Sequence, residues 1–326
     1  MRGIFEQLEK IIKLVIFRCF LYNDDMFGDF CQERKEINMY KSKKYSYEYE
    51  EIDEEEKSCE TIVADILADP EFANLEEVVI GCWGEAWDDG EGAETIINDI
   101  IENKEKFAHI KSLFVGDMDF EECEVSWIVQ GNYEKLFEAM PQLEKLTIKG
   151  STDLELGKVN APNLRSLEII CGGLPKEVIQ SVRDANLPAL KELRLYIGVD
   201  NYGFDGSIDD IKELLEKSNF PKLEILGLCD SEIQDEICEA VLASKYMKQI
   251  KRLELSMGSL TDKGGQLLLD KLPEFPNVKY LDVHYHYLSD EMMKKLEALP
   301  IEVDTDEQNE PDEWDDEAYY YPMLTE

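Results

Sequence analysis

The chain has 326 residues, with 34 Lys and Arg against 73 Asp and Glu, for a formal net charge of −39. Charge on that scale argues against nucleic acid and anionic membrane as partners, because the approach of a polyanion is opposed at long range. A hydrophobic content of 44% is ordinary for a globular protein, so the acidity accompanies a normal core and wholesale disorder is excluded.

Along the chain, residues 1–37 come first, with six bases and seven acids. Ile4, Leu8, Ile11 and Val15, with Ile12 and Ile16, share one helical face, which predicts an amphipathic extension over residues 1–38. The apolar stretch Ile11–Tyr22 is interrupted by Lys13 and Arg18 and falls short of the ~20 residues that span a bilayer, so it is not a transmembrane helix. Glu6 and Glu9 ahead of it, with no small-x-small pattern after it, argue against a secretory leader. Residues 39–306 read as the folded domain. Within it the run Glu48–Glu56, seven acids in nine residues, is expected to be a solvated loop ahead of the first helix.

From there one pattern recurs: apolar, two variable residues, apolar, one variable, apolar. It occurs at Leu75/Val78/Ile80, Ile110/Leu113/Val115, Leu143/Leu146/Ile148, Leu164/Leu167/Ile169, Leu190/Leu193/Leu195, Leu223/Leu226/Leu228, Ile250/Leu253/Leu255 and Val278/Leu281/Val283. The alternation at its end is that of a short strand with one buried face. Most anchors follow a turn such as Pro141-Gln142-Leu143, Pro162-Asn163-Leu164 or Pro276-Asn277-Val278. Helices are predicted between them, over residues 93–104, 175–186, 207–218, 236–245, 262–271 and 290–299, several opening on Ser or Asp that can cap helix N–H groups. A single strand–loop–helix unit cannot bury its own apolar face, whereas stacked units share a continuous core. The expected fold class is α/β: a leucine-rich-repeat solenoid, or horseshoe, of about eight repeats with parallel strands on the concave face and helices on the convex face. Anchor spacings of 35, 33, 21, 26, 33, 27 and 28 residues require loop insertions in some repeats.

The segments Gly81-Cys82-Trp83-Gly84-Glu85-Ala86-Trp87, Gly116-Asp117, Glu121-Glu122-Cys123-Glu124-Val125-Ser126-Trp127-Ile128, Asp200-Asn201-Tyr202-Gly203 and His284-Tyr285-His286-Tyr287-Leu288-Ser289-Asp290 resemble those of a bacterial leucine-rich-repeat family. The resemblance runs from about Tyr40 to Asp306. In repeat design alone the chain also resembles ribonuclease inhibitor. The resemblance implies the fold and brings no activity with it.

Alternate strand residues face opposite sides, so repeat positions three, five and seven should line the concave face. They include Phe114, Arg194, Tyr196 and Tyr280, and over 24 positions they carry four bases and five acids, far more balanced than the whole. The insertions follow the strands and should line one rim, offering Trp83, Glu85 and Trp87; Asp117, Glu121, Glu122 and Trp127; and Asp200, Asn201 and Tyr202. Aromatics among acids suit protein contact, and they equally suit pinning long loops to the solenoid. Asp282, His284 and His286 alternate along the last strand, beside Glu254, and offer two imidazoles and a carboxylate to a divalent metal such as Zn²⁺ or Fe²⁺. The competing role is polar lining. No other cofactor is indicated: EF-hand, P-loop, G-x-S-x-G and H-E-x-x-H patterns are all missing.

Eight cysteines without a C-x-x-C pair, and no N-x-Ser/Thr site, fit a reduced cytoplasmic setting. Residues 307–326 form an acidic tail: from Glu302 to Glu326 there are 11 acids and no base, and this stretch is expected to stay solvated or pack only locally. The leading functional expectation is a non-catalytic scaffold that binds a protein partner through its concave face and rim. Two rivals are a metal- or small-molecule-dependent enzyme, and an acidic inhibitor or mimic that engages a basic protein.

Overall fold

Each of the eight apolar triplets contributes a strand to one parallel sheet, and the computed structural model, which describes residues 40–326 apart from 89, 91, 315, 316, 325 and 326, adds a strand at either end. The expected extension over residues 1–38 lies outside the described residues. In chain order the strands are β1 (Ser42–Tyr45), β2 (Glu77–Ile80), β3 (Ser112–Val115), β4 (Lys145–Lys149), β5 (Ser166–Ile170), β6 (Glu192–Gly198), β7 (Ile225–Ser231), β8 (Arg252–Glu254), β9 (Tyr280–Asp282) and β10 (Glu302–Asp304), and each pairs with the next. The register is unbroken: Val78, Leu113, Leu146, Leu167, Leu193, Leu226, Leu253 and Leu281 form one row across the sheet. These side chains, and the next apolar position from Ile80 to Val283, are buried against the helices. The fold is the expected leucine-rich-repeat solenoid, and its parallel sheet has ten strands among the described residues, the eight of the repeats and one beyond each end.

Among the described residues, each of the two extra strands has a repeat on one side only, and both escape the apolar pattern. In β1 the row of leucines is continued by Lys43, which pairs with Asp69 at 2.6 Å, while Tyr45 donates to the same carboxylate at 2.7 Å. A sheet end closed by a charged pair is less able to recruit further strands.

The helices are α1 (Tyr49–Glu55), α2 (Ile62–Ala68), α3 (Ala93–Glu102), α4 (Glu134–Ala139), α5 (Lys176–Arg183), α6 (Ile208–Lys217), α7 (Gln234–Ala243), α8 (Asp262–Lys271) and α9 (Asp290–Glu297). From α5 onward each packs on the next, burying residues three and four apart such as Val178/Ile179/Val182 and Ile211/Leu214/Leu215. The acidic run expected as a loop is helix α1, with no residue buried. Glutamate is a good helix former, and Glu48 and Glu51 satisfy each other's first-turn N–H groups in a capping box.

The turn residue ahead of three of the anchors has a structural task. Gln142 donates to the carbonyls of Phe107 and Ile110, Gln249 to Phe220 and Leu223, and Asn277 to Met247 and Ile250. Each amide thus ties the end of one helix–strand turn to the start of the next and satisfies carbonyls that stacking has removed from water.

Candidate functional site

The loops after β2 and β3 meet edge to edge. Val129 donates to the carbonyl of Ala86 at 2.8 Å, and Ala93 donates back to Val129 at 3.1 Å. This contact holds two tryptophans outward, Trp87 at 49% and Trp127 at 58% exposure. The exposed acids Glu85, Asp88, Asp119, Glu121 and Glu124 come from the same two loops. Asp119 shapes the second one by accepting from Glu121 and Glu122 N–H, each at 2.9 Å. Glu122 accepts in turn from Asp119 N–H at 2.9 Å and from Ser46 at 3.4 Å, and Asp117 pairs with Lys44 at 3.2 Å, so both are engaged locally.

Trp83 corrects the expectation of a rim contact: it is 0% exposed and belongs to the core. It follows Gly81-Cys82 at the strand's end, where the chain still lies over the apolar layer, whereas Trp87 comes after the Gly84 turn at φ 120°. Asp200 and Asn201 are exposed, and Tyr202 half-buried, on a 3₁₀ turn ended by Gly203. They follow β6, four strands from β2 and hence ~19 Å away along the sheet, so they are not part of the tryptophan patch.

On the sheet face opposite the helices, Phe114 and Tyr280 are half-buried, while Arg194 and Tyr196 are buried and do not present an open contact surface. Arg194 binds both oxygens of Glu254, at 2.7 and 3.1 Å, and also Glu192 at 3.0 Å. Arg252 reaches Glu254 at 2.5 Å and stacks over the Tyr280 ring at 4.1 Å. The Tyr280 hydroxyl is pushed up to about 12 by burial and then by Asp282 and Asp304.

At the C-terminal end of that row, Asp282, His284 and Asp304 bring one ligand atom each within 4.8 Å of one another, with His284 Nδ1 2.6 Å from Asp282 Oδ1. Burial disfavours the His284 imidazolium, yet the Asp282 hydrogen bond and the charges of Asp282, Asp304 and Glu307 leave its pKa raised. His286 is not part of this group. It is fully buried, with Nε2 on the Thr305 carbonyl at 2.9 Å and Nδ1 accepting from Leu288 N–H at 3.0 Å, so both ring nitrogens are committed to backbone. Asp304 takes its place as the third candidate ligand, and it escaped the sequence reading because β10 did.

The rim at the strand starts was also missed. A groove of about 1010 Å³ is lined there by Glu76, Lys111, Gln142, Glu144, Arg165, Lys191 and Lys222 among others. Lys111 pairs with Glu76 at 2.6 Å and Arg165 with Glu144 at 3.1 Å. The residue directly before β2, β3, β4 and β5 carries this alternation and was legible as a column of its own.

A solved structure of a protein from Bacteroides fragilis, determined in a structural-genomics programme, is 42% identical to this chain, with a TM-score of 0.77, and the match covers 82% of this chain and 75% of that one. The chain belongs to the family of that Bacteroides protein. An internalin from Listeria monocytogenes is a far more distant neighbour, 13% identical with a TM-score of 0.36 over 71% of this chain and 54% of that one, and carries no further argument. No protein-family model and no curated protein matches the chain.

Proposed function

We propose that the protein is a non-catalytic leucine-rich-repeat scaffold that binds a protein partner through the rim after β2 and β3. The observation that carries this reading is the pair Trp87 and Trp127, held outward on two hydrogen-bonded loops within a ring of acids. Large aromatics fixed on a rigid support are the residues that dominate binding energy at interfaces, and the surrounding carboxylates favour a partner that presents Lys or Arg beside an apolar contact. Repeats comparable in design with those of ribonuclease inhibitor suit such a scaffold. Cys82, Cys123, Cys171, Cys229 and Cys238 are buried free thiols, which supports a reducing, cytoplasmic setting.

Affinity capture with the purified chain, compared with a Trp87→Ala/Trp127→Ala variant of unchanged melting temperature, tests the reading. A partner retained equally by both removes the tryptophan rim as the binding surface. Loss of binding to both as salt is raised would assign the association to overall acidity instead.

A second reading, divalent metal binding, is favoured by the Asp282/His284/Asp304 group. Calorimetric titration with Zn²⁺ checks it: saturable binding that is lost in His284→Ala supports the site, and identical heats from both proteins dismiss it.

A further inference from the structure

Residues 320–324 do not run free. Tyr321 N–H donates to the Tyr287 hydroxyl at 3.0 Å, that hydroxyl donates to the Tyr321 carbonyl at 2.9 Å, and the Tyr320 ring meets the Tyr287 ring edge-on at 5.0 Å. Further along, Met323 N–H donates to the Met257 carbonyl at 2.8 Å, and Leu324 N–H to Asp230 Oδ1 at 2.7 Å. Pro322 is buried and Leu324 is only 5% exposed. Asp230, Met257 and Tyr285 hold the same place in three successive repeats, two residues past Leu228, Leu255 and Val283, and all three take the left-handed conformation. The receiving surface is therefore built from a repeated turn, at the opposite end of the array of strands from the tryptophan rim.

We propose that Asp230, Met257 and Tyr287 form a peptide-binding groove for an extended aromatic–Pro–apolar segment, and that residues 320–324 are its occupant in cis. Three features support this. Of the four hydrogen bonds named above, only the Tyr287 hydroxyl and the Asp230 carboxylate are side-chain groups, and on the tail's side all four use the main chain, which any extended peptide provides. Selectivity comes from the buried Pro322 and Leu324 and from the Tyr320 ring. The groove also has more to offer than the tail takes: Asp230 is completely buried, yet its Oδ2 has no hydrogen-bond partner among the described residues. A buried polar atom left unmet weakens the complex that leaves it so. A peptide supplying one more hydrogen-bonding group there displaces the tail, which makes the tail a built-in competitor rather than a permanent closure. The inference does not rest on the tryptophan rim.

The test uses a fluorescently labelled peptide with the sequence of residues 317–326 and the full chain. Met323→Pro with Leu324→Asp removes one donor and the buried leucine and so releases the tail. The released chain is expected to raise the peptide's anisotropy saturably and to bind at least tenfold more tightly than the unaltered chain. Adding Asp230→Leu to the released chain should cancel that gain. A released chain that melts like the unaltered one and shows no saturable binding overturns the proposal. A released chain that binds peptide as weakly as the unaltered one does so as well. If the tail variants unfold the repeats, hydrogen exchange in the unaltered chain decides: protection of the Met323 and Leu324 amides that falls with excess peptide supports displacement, and protection indifferent to peptide overturns it. Dimerisation of the unaltered chain that Leu324→Asp abolishes would assign the groove to a second copy's tail and overturn occupancy in cis.

Discussion

Arg194 and Glu254 form a two-point ion pair across a strand that lies between them. They sit on β6 and β8, and the position between them on β7 is Gly227, which is in register with both. A side chain there would intrude: a Cβ on Gly227 would lie 3.0 Å from Glu254 Oε2 and 3.2 Å from Arg194 Cγ. Arg194→Met leaves Glu254, 1% exposed, with Arg252 as its remaining basic neighbour in the row. A loss of about 3 kcal/mol is expected, the low end for breaking a buried pair. Arg194→Met/Glu254→Leu should recover most of it, because an apolar replacement of both partners removes the stranded charge. Gly227→Val should resemble Arg194→Met and add little to it, as read from urea unfolding midpoints in a double-mutant cycle.

The tryptophans divide by role. Trp83→Ala empties a fully buried site and should lower stability by about 3–5 kcal/mol. Trp87→Ala and Trp127→Ala change exposed side chains and should each stay within about 0.5 kcal/mol. Chemical denaturation of the three variants checks this. Acrylamide should quench Trp87 and Trp127 but not Trp83.

Asp230 imposes its own pH dependence. Burial drives its carboxyl well above the usual value of 3.8, against the backbone hydrogen bonds from Leu324 and Met323. The folded form therefore holds the proton to higher pH than the unfolded form, and stability is lost as pH rises from the usual value through the raised one. Asp230→Asn cannot ionise and lacks this loss. The stability of the variant relative to the parent should grow with pH, with a slope of up to about 1.4 kcal/mol per unit. Urea titrations at a series of pH values from acid to alkaline measure it, and a constant difference would contradict it.

The turn amides carry a measurable share of the stacking. Asn277→Ala removes donors to two carbonyls, Met247 and Ile250. A loss of about 1–3 kcal/mol is expected for leaving them unmet, and Asn277→Asp should be no better, since a carboxylate cannot donate. Thermal melts of both variants test the donor requirement.

Eight strands were legible because Val78 to Leu281 repeat an apolar position that only stacking can bury. The terminal strands were not: among the described residues Lys43 in β1 and the lone Val303 of β10 lack a repeat on one side, so their sequences do not repeat the apolar triplet. The same cause hid Asp304 from the metal-ligand reading and left His286 in its place, since the His286 Nε2 meets the Thr305 carbonyl just past a strand that was not seen. Trp83 and Trp87 are four residues apart in one loop, and no local signal separates core from rim there. The tail was misread because its partners, Asp230, Met257 and Tyr287, lie on other repeats, and its contacts are largely main-chain and leave little trace in side-chain type.

The row from Val78 to Leu281 keeps its register whether 21 or 35 residues separate successive anchors. Backbone pairing in the sheet is thus indifferent to what is threaded between strands. A post-strand loop can therefore be lengthened, shortened or exchanged independently of the others without renegotiating the core.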